Sequence, residues 1–381
     1  MSVITILHVS DAHFGCPDLY GDQRRITNAL IKAVHKHVQD GRRPPDVCVF
    51  SGDLTHSGLE GQFAEGEEWL SRLLKPFDNC RLFIVPGNHE VQRPNNESTL
   101  AEVRKVLRGA IYTVHAYSLL RDDITSQTLL NGFYNWHKEA IGRFRPTIVS
   151  DWECSKRACH QKINTDGVQT HLIGLNTAIL SFADKEQGML VADIKSLNEC
   201  LLDTNSETEL IVVISHHPIG IGKQTNEQWL AGWNDQELQS ILLQSTGPHV
   251  YLHGHLHEAL GITMSLSTGQ SLAFFGAGAA YQSSKYPKKF AFYDINLAID
   301  EIQPWTYTYR TRRGQWGLEE ESSQPTKAVL PRPLGASLER MSTEIVSREK
   351  PEQTDPYHTY YGGYYSYNWA VRGGSEISEK K

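Results

Sequence analysis

Short apolar runs recur along the chain, separated by stretches of a different period. Residues 3–9, 47–50, 82–85, 171–175, 210–214, 250–252, 272–275 and 290–295 are brief, nearly continuous and rich in β-branched and aromatic side chains. That pattern predicts strands buried on both faces. Between the first two runs, residues 22–39 place Ile26, Ala29, Leu30, Ala33, Val34 and Val38 at helical spacing, and residues 62–74 read as a second helix. Strand–helix alternation with continuous apolar strands predicts an α/β fold whose sheets are covered by other elements. In such folds ligands sit outside the carboxyl ends of strands, so the polar segments directly after the runs are where chemistry is sought.

The pattern changes twice. Between about residues 91 and 166, Leu100, Val103, Val106, Leu107 and Ile111 suggest one helix and residues 136–144 another, which reads as a helical insertion. From residue 319 a Ser/Pro-containing stretch with Pro331 and Pro333 reads as a linker. A short helical candidate at 337–347 follows, then a tail with six tyrosines and one tryptophan between Tyr357 and Trp369. The expected organisation is a catalytic domain over 1–318 and a linker with a Tyr/Gly-rich tail over 319–381. Such an aromatic cluster docks on a second copy or a partner protein, or packs on its own subunit. No internal repeat is visible.

The 381 residues include 21% charged and 39% hydrophobic positions, as in an ordinary globular protein. A formal net charge of −7 carries no footprint for wrapping long duplex nucleic acid. The six cysteines follow no disulfide framework, the N-terminus enters a strand directly, and no apolar run is long enough to span a bilayer. These features predict a cytoplasmic protein with free thiols and no membrane partner. Cys154, Cys159 and His160 lie close in sequence, but without a second close pair they read as ordinary loop or helix residues rather than a zinc site.

Five motifs follow apolar runs directly: Ser10-Asp11-Ala12-His13, Ser51-Gly52-Asp53-Leu54-Thr55, Pro86-Gly87-Asn88-His89-Glu90, Ser215-His216-His217-Pro218 and Gly254-His255-Leu256-His257. Read singly, Asp11 is a helix N-cap, Asp53 and Asn88 are turn formers, and His13 is a solvated loop residue. All five in order, each at a strand end, are a different matter. Carboxylate, imidazole and amide oxygen suit borderline divalent cations, and on an extended chain positions i and i+2 of D-x-H or H-x-H point the same way. Gly52, Gly87 and Gly254 remove side-chain bulk where the backbone turns near such ions. His217 reads as structural, His249 and His253 as packing or surface residues, and His56 as equally a substrate-facing or a bland loop residue. Gly276-Ala277-Gly278 reads as close packing near the site.

The set D-x-H, G-D, G-N-H-[DE], H and G-H-x-H resembles the calcineurin-like metallophosphoesterase family, which includes purple acid phosphatases, cyclic-nucleotide phosphodiesterases and SbcD-type DNA nucleases. The resemblance covers about the first three hundred residues and implies a four-layer αββα sandwich. It implies one divalent cation on Asp11, His13, Asp53 and His257, and a second on Asp53, Asn88, His216 and His255, with Asp53 bridging. His89 takes the place of the family's histidine that meets the phosphate and helps the leaving group or incoming water. Manganese is the expected metal, with iron or zinc as alternatives. Two cations about 3.5–4 Å apart share a water, lower its pKa and neutralise phosphoryl oxygens.

The cyclic-nucleotide-phosphodiesterase-like branch is most similar, although Glu90 stands where that branch usually has Asp. The expected reaction is therefore hydrolysis of a phosphodiester, in a nucleotide or cyclic nucleotide. A DNA nuclease is the second reading, against which the acidic charge and the lack of a basic patch count. A phosphomonoesterase is a third. A metal-free scaffold is disfavoured because no ligand position is substituted.

Overall fold

The computed structural model describes residues 3–17, 22–93, 129–144, 147–153, 155–181, 187–220, 229–244, 247–259, 261–265, 271–281 and 287–332. These all fall in one compact unit, Met1–Arg340. The first strands are β1 (Val3–Val9), β2 (Val47–Phe50), β3 (Arg81–Ile84), β4 (Ala158–Thr165), β5 (Val168–Leu175) and β6 (Leu210–Ser215). The later ones are β7 (Val250–His253), β8 (Gly261–Ser265), β9 (Ser271–Gly276), β10 (Lys289–Asn296), β11 (Glu301–Arg310), β12 (Gln315–Leu318) and β13 (Thr326–Lys327). The helices among the described residues are α1 (Asp22–Gln39), α2 (Glu60–Leu74), α3 (Asn131–Arg143), α4 (Ile194–Leu202) and α5 (Gly232–Leu242).

One sheet runs β12-β11-β10-β1-β2-β3, with β13 also on β11, and the other runs β4-β5-β6-β7-β9-β8. Every residue of β1, β2, β6, β7 and β9 is buried, so both faces of both sheets are covered. Helix α1 packs on β12 and α2, while α4 packs on β4, β5 and α5. The result is the four-layer αββα sandwich that the resemblance implied. Helix α1 supplies its inner stripe from Ile26, Leu30, Ile31 and Val34, with Asp22 in its first turn and Lys36 in its last. That placement of charge suits the helix dipole.

β1, β2 and β3 are parallel, as are β5, β6, β7 and β9. Their carboxyl ends meet across the sandwich: Gly254 N–H donates to the His216 carbonyl, and a His216 ring nitrogen donates to the Ser51 carbonyl of the other sheet. The five motifs therefore converge on one edge.

β11 holds Pro304, a residue that normally breaks a strand reading. Thr306 N–H points outward to Ser323 Oγ, and position 304 shares that outward parity. β12 pairs only with Tyr307–Arg310 and β13 only with Glu301 and Ile302, so the missing N–H of Pro304 falls in the gap between them.

Three expectations are corrected here. The stretch from 319 is not yet a linker: β13 pairs with β11, Ala328 and Leu330 are buried, and Arg332 N–H donates to the Glu207 carbonyl. The last part of the supposed helical insertion is β4, which pairs along its whole length with β5. Cys159 and His160 stand on this strand and not on a loop or helix: Cys159 lies against Gly174 in the core, while His160 bonds His171. Helix α3 fulfils the 136–144 expectation from a slightly earlier start. It is tied to α2 by Arg143 on both Glu67 oxygens, each at 2.8 Å. The helix expected around 100–111, Cys154, the candidate at 337–347 and the aromatic tail lie outside the described residues. Among the described residues no helix is long and apolar enough to cross a membrane.

Candidate metal centre

Among the described residues, seven non-glycine residues have positive φ, and five of them are Asp11, His13, Asp53, His255 and His257. Their φ values of 49° to 67° lie in the left-handed region, which costs about 1–2 kcal/mol per L-residue. The strain is concentrated at one place, as at functional sites generally. It also corrects the reason why D-x-H and H-x-H converge. The chain is not extended there; left-handed turns aim both side chains.

Those turns are held by backbone bonds. Asp11 N–H donates to the Gly52 carbonyl, and Ala12 and His13 both donate to the Asp53 carbonyl. Gly52 adopts φ 93°, and a Cβ there would lie 2.5 Å from His216 Nδ1. A Cβ on Gly87 would collide with Asp53 Oδ1. Neither position tolerates a side chain.

The polar atoms fall into two groups. In the first, His257 Nε2 lies 3.0 Å from Asp11 Oδ1, and His13 Nε2 lies 3.8 Å from Asp11 Oδ1 and 3.9 Å from Asp53 Oδ2. In the second, His216 Nε2 lies 3.0 Å from Asn88 Oδ1 and 3.3 Å from Asp53 Oδ2. His255 Nδ1 lies 3.1 Å from Asn88 Oδ1 and 3.2 Å from His216 Nε2. Asp53 Oδ2 thus faces both groups. Ligands about 2.1 Å from one cation stand about 3.0–3.4 Å apart, which matches most of these separations.

One contact shows why the donor set fits a cation. His216 Nδ1 is 2.8 Å from the Ser51 carbonyl, which only accepts, so the proton of the neutral ring is on Nδ1. Its Nε2 lone pair then confronts two oxygens, Asn88 Oδ1 and Asp53 Oδ2. Only a proton or a metal ion relieves that confrontation.

The titration behaviour agrees. Burial opposes ionisation of Asp53, but His216, His89 and His13 outweigh it and hold the carboxyl well below its usual range. Burial likewise opposes charge on Asp11, and His257 overcomes it. Burial would lower His216, but Asp53 and then Asp11 raise it to about 9. Below that pH a proton occupies His216, and an incoming cation must displace it. Cation affinity is therefore expected to fall as pH drops, by about tenfold per unit for one proton. Calorimetric titration with manganese near pH 7.5, in buffers of different ionisation enthalpy, should show release of about one proton. No release would mean that His216 Nε2 does not meet the metal.

Residues beyond the ligand set complete the site. His89 N–H donates to Asp53 Oδ1 at 2.9 Å, and its Nδ1 donates to the His56 carbonyl at 2.6 Å. The His89 Nε2 of a neutral ring is thus an acceptor, and of a charged ring a donor. One ring nitrogen each of His13, His56 and His89 lie within 4.8 Å of one another, which brings the undecided His56 to the site. His217 hydrogen-bonds Thr177 Oγ1 through Nδ1 and its backbone N–H, and one of its ring nitrogens lies within 4.8 Å of ring nitrogens of His216 and His255. His249 is consumed by backbone bonds to Ser206 and Ile211, and His253 is buried beside Gly254 and Gly276.

The residue that sequence reasoning undervalued is Glu90. Its buried carboxylate accepts from the N–H groups of Asp53 (2.8 Å), Thr55 (2.8 Å) and Gly87 (2.7 Å), and from Thr55 Oγ1 (3.1 Å). It pins the loop after β2 to the loop after β3. Burial, and then the Asp53 carboxylate, push it up to about 7. Its acidity within the third motif was the available signal.

Among solved structures the chain aligns with a purple acid phosphatase from yellow lupin (Lupinus luteus) seeds, at 12% identity and a TM-score of 0.48, over 88% of this chain and 55% of that one. It aligns with a 5′-nucleotidase from Candida albicans at 13% identity and a TM-score of 0.38, over 91% of this chain and 58% of that one. The phosphopantetheinyl hydrolase of Mycobacterium tuberculosis aligns at 13% identity and a TM-score of 0.38, over 72% of this chain and 90% of that one. The chain thus spans little more than half the length of the lupin and Candida proteins. No curated protein sequence matches it. The calcineurin-like phosphoesterase family model matches residues 4–259, which include all five motifs. On that match, and with a site built from the same motifs, the chain belongs to the calcineurin-like phosphoesterase family of metal-dependent phosphoric ester hydrolases.

Proposed function

We propose that the protein hydrolyses phosphodiester bonds of a nucleotide or cyclic nucleotide, with one cation on Asp11, His13, Asp53 and His257 and another on Asp53, Asn88, His216 and His255. The observation that carries this reading is Asp53 Oδ2, which faces His13 on one side and His216 on the other. Bound there, the cations supply a water of lowered pKa and neutralise phosphoryl oxygens. The water oxygen forms the new bond to phosphorus, the bond to the leaving alcohol breaks, and the alcohol takes up a proton. His89 is placed for that transfer, because Asp53 holds its backbone and the His56 carbonyl fixes its ring. Groups of this kind contribute about 10²–10⁴-fold. The metal is manganese in this reading, with iron or zinc accepted by the same donor set.

The preference for diesters rests on charge. A monoester brings a second negative charge, which favours further cationic contacts, and no Lys or Arg stands within the five motifs. With manganese, bis-p-nitrophenyl phosphate is expected to turn over faster than p-nitrophenyl phosphate, and a panel of 2′,3′- and 3′,5′-cyclic nucleotides to identify the favoured ring. Faster turnover of the monoester would move the protein to the phosphatases.

A further inference from the structure

The chain is acidic overall, yet the fold gathers a rim of basic residues on the sheet edge that carries the metal centre, outside the five motifs. Three arginines stand within four residues, Arg310, Arg312 and Arg313, in the tight turn between β11 and β12, and all three are exposed. The turn is closed by Gly314 in the left-handed region, whose N–H donates to the carbonyls of Arg310 and Thr311. Arg25 of α1 comes within 4.0 Å of the position a Gly314 Cβ would take. Lys288 joins from the start of β10, where its carbonyl accepts from Tyr309 N–H.

Sheet topology puts this rim at the catalytic edge. β10 runs antiparallel to β1, with His8 opposite Ala291, and β11 runs antiparallel to β10, with Lys289 opposite Thr308. The end of β11 therefore lies at the end of β1 that carries Asp11. The connection is short: Lys289 N–H donates to the Ala279 carbonyl, Ala280 N–H to the Ser10 carbonyl, and Tyr281 N–H to the Asp11 carbonyl. Two carboxylates partly neutralise the rim. Asp22 pairs with Arg25 at 2.6 Å, and Glu319 pairs with Lys289 at 2.8 Å. Among the described residues Lys288, Arg310, Arg312 and Arg313 form no ion pair.

We infer that this rim binds the backbone of a single-stranded nucleic acid, one phosphate of which reaches the metal centre. The inference rests on the diesterase reading and enlarges its substrate from a single nucleotide to a strand. A mononucleotide or cyclic nucleotide held at the cations has no second phosphate to offer the arginines, whereas a strand has one at every residue. Exposed guanidinium groups without carboxylate partners suit phosphate oxygens.

The test uses the manganese-loaded protein and a fluorescein-labelled phosphorothioate oligothymidylate, which resists cleavage, read by fluorescence anisotropy. The double variant Arg312→Ala/Arg313→Ala is expected to raise the dissociation constant about tenfold and to reduce the slope of log K against log salt by about 1.4, at about 0.7 per lost contact. A control that removes the same charge elsewhere, Lys138→Ala/Lys195→Ala on α3 and α4, is expected to bind like wild type. Thermal melting checks that both variants are folded. Absence of strand binding by wild type at low salt, or equal binding by the arginine variant and the control, overturns the inference; an acidic protein partner for the rim would show the first of these. Failure of the diesterase reading would show separately, as no bis-p-nitrophenyl phosphate hydrolysis by wild type, whatever the strand does.

Discussion

Asp53→Ala is expected to abolish phosphoester hydrolysis while leaving the sandwich folded. The carboxylate faces both donor groups through Oδ2, and its Oδ1 accepts the His89 N–H, so in the proposed reading one truncation removes the shared ligand and frees His89. Loss of a residue that only orients ligands costs about 10–100-fold. Loss of the shared ligand itself should exceed that, and should be accompanied by loss of bound metal in elemental analysis. Because Asp53 has φ 58°, alanine adds local strain, so Asp53→Asn is the companion variant: asparagine tolerates the conformation but lacks the charge. Both variants should be inactive with a wild-type circular dichroism spectrum. Full activity in either, or in chelator-treated protein, would sink the two-metal reading.

The second large effect is expected at Glu90. Glu90→Ala removes the acceptor for three buried backbone N–H groups and the Thr55 hydroxyl. Each unpaired buried donor costs about 1–3 kcal/mol, so the three amides alone amount to roughly 3–9 kcal/mol if they add. A typical domain has only about 5–15 kcal/mol in total. The expected outcome is a large drop in the denaturant midpoint, or failure to fold. Glu90→Gln keeps the shape but sets an amide NH2 against N–H groups at one end, and should fold with reduced stability and weakened metal binding. A Glu90→Ala protein with wild-type midpoint and full metal content would show that the two loops hold each other without the carboxylate.

Glu90 also shows where sequence reading stops. The candidate ligand residues were legible because their types suit divalent cations and their five motifs, each after an apolar run, resemble those of a known family; the left-handed turns that bring them together were not. What Glu90 touches depends on how two loops meet, and spacing does not report that. The eight apolar runs were legible as strands because burial on both faces leaves continuous apolar stretches. β4 was not, since an edge strand with His160, Gln161 and Lys162 has no such need. β11 was hidden by Pro304, which is harmless only because β12 and β13 leave its outer side open. α4 and α5 are short, and α5 buries Asn234 and Asp235 among its inward residues, so neither shows a clean apolar stripe. The basic rim was missed for a related reason. Arg310, Arg312 and Arg313 lie close together in sequence, but only the antiparallel return of β10 and β11 brings the end of β11 to the edge that carries Asp11.

The pairing of β1 with β10 also bears on the order in which the molecule can be built. β2 follows β1 within about fifty residues, but β10 ends only at Asn296. At synthesis rates of about 5–20 residues per second, β1 waits roughly 15–60 s for its second neighbour. Throughout that interval an apolar strand has an open edge, the kind that pairs with another chain during crowded synthesis. Asp11 waits with it, because the Tyr281 N–H that fixes its carbonyl, and His255 and His257, all come late in the chain. Four of the seven candidate ligand residues, Asp11, His13, Asp53 and Asn88, are thus translated well before His216, His255 and His257, and wait for them.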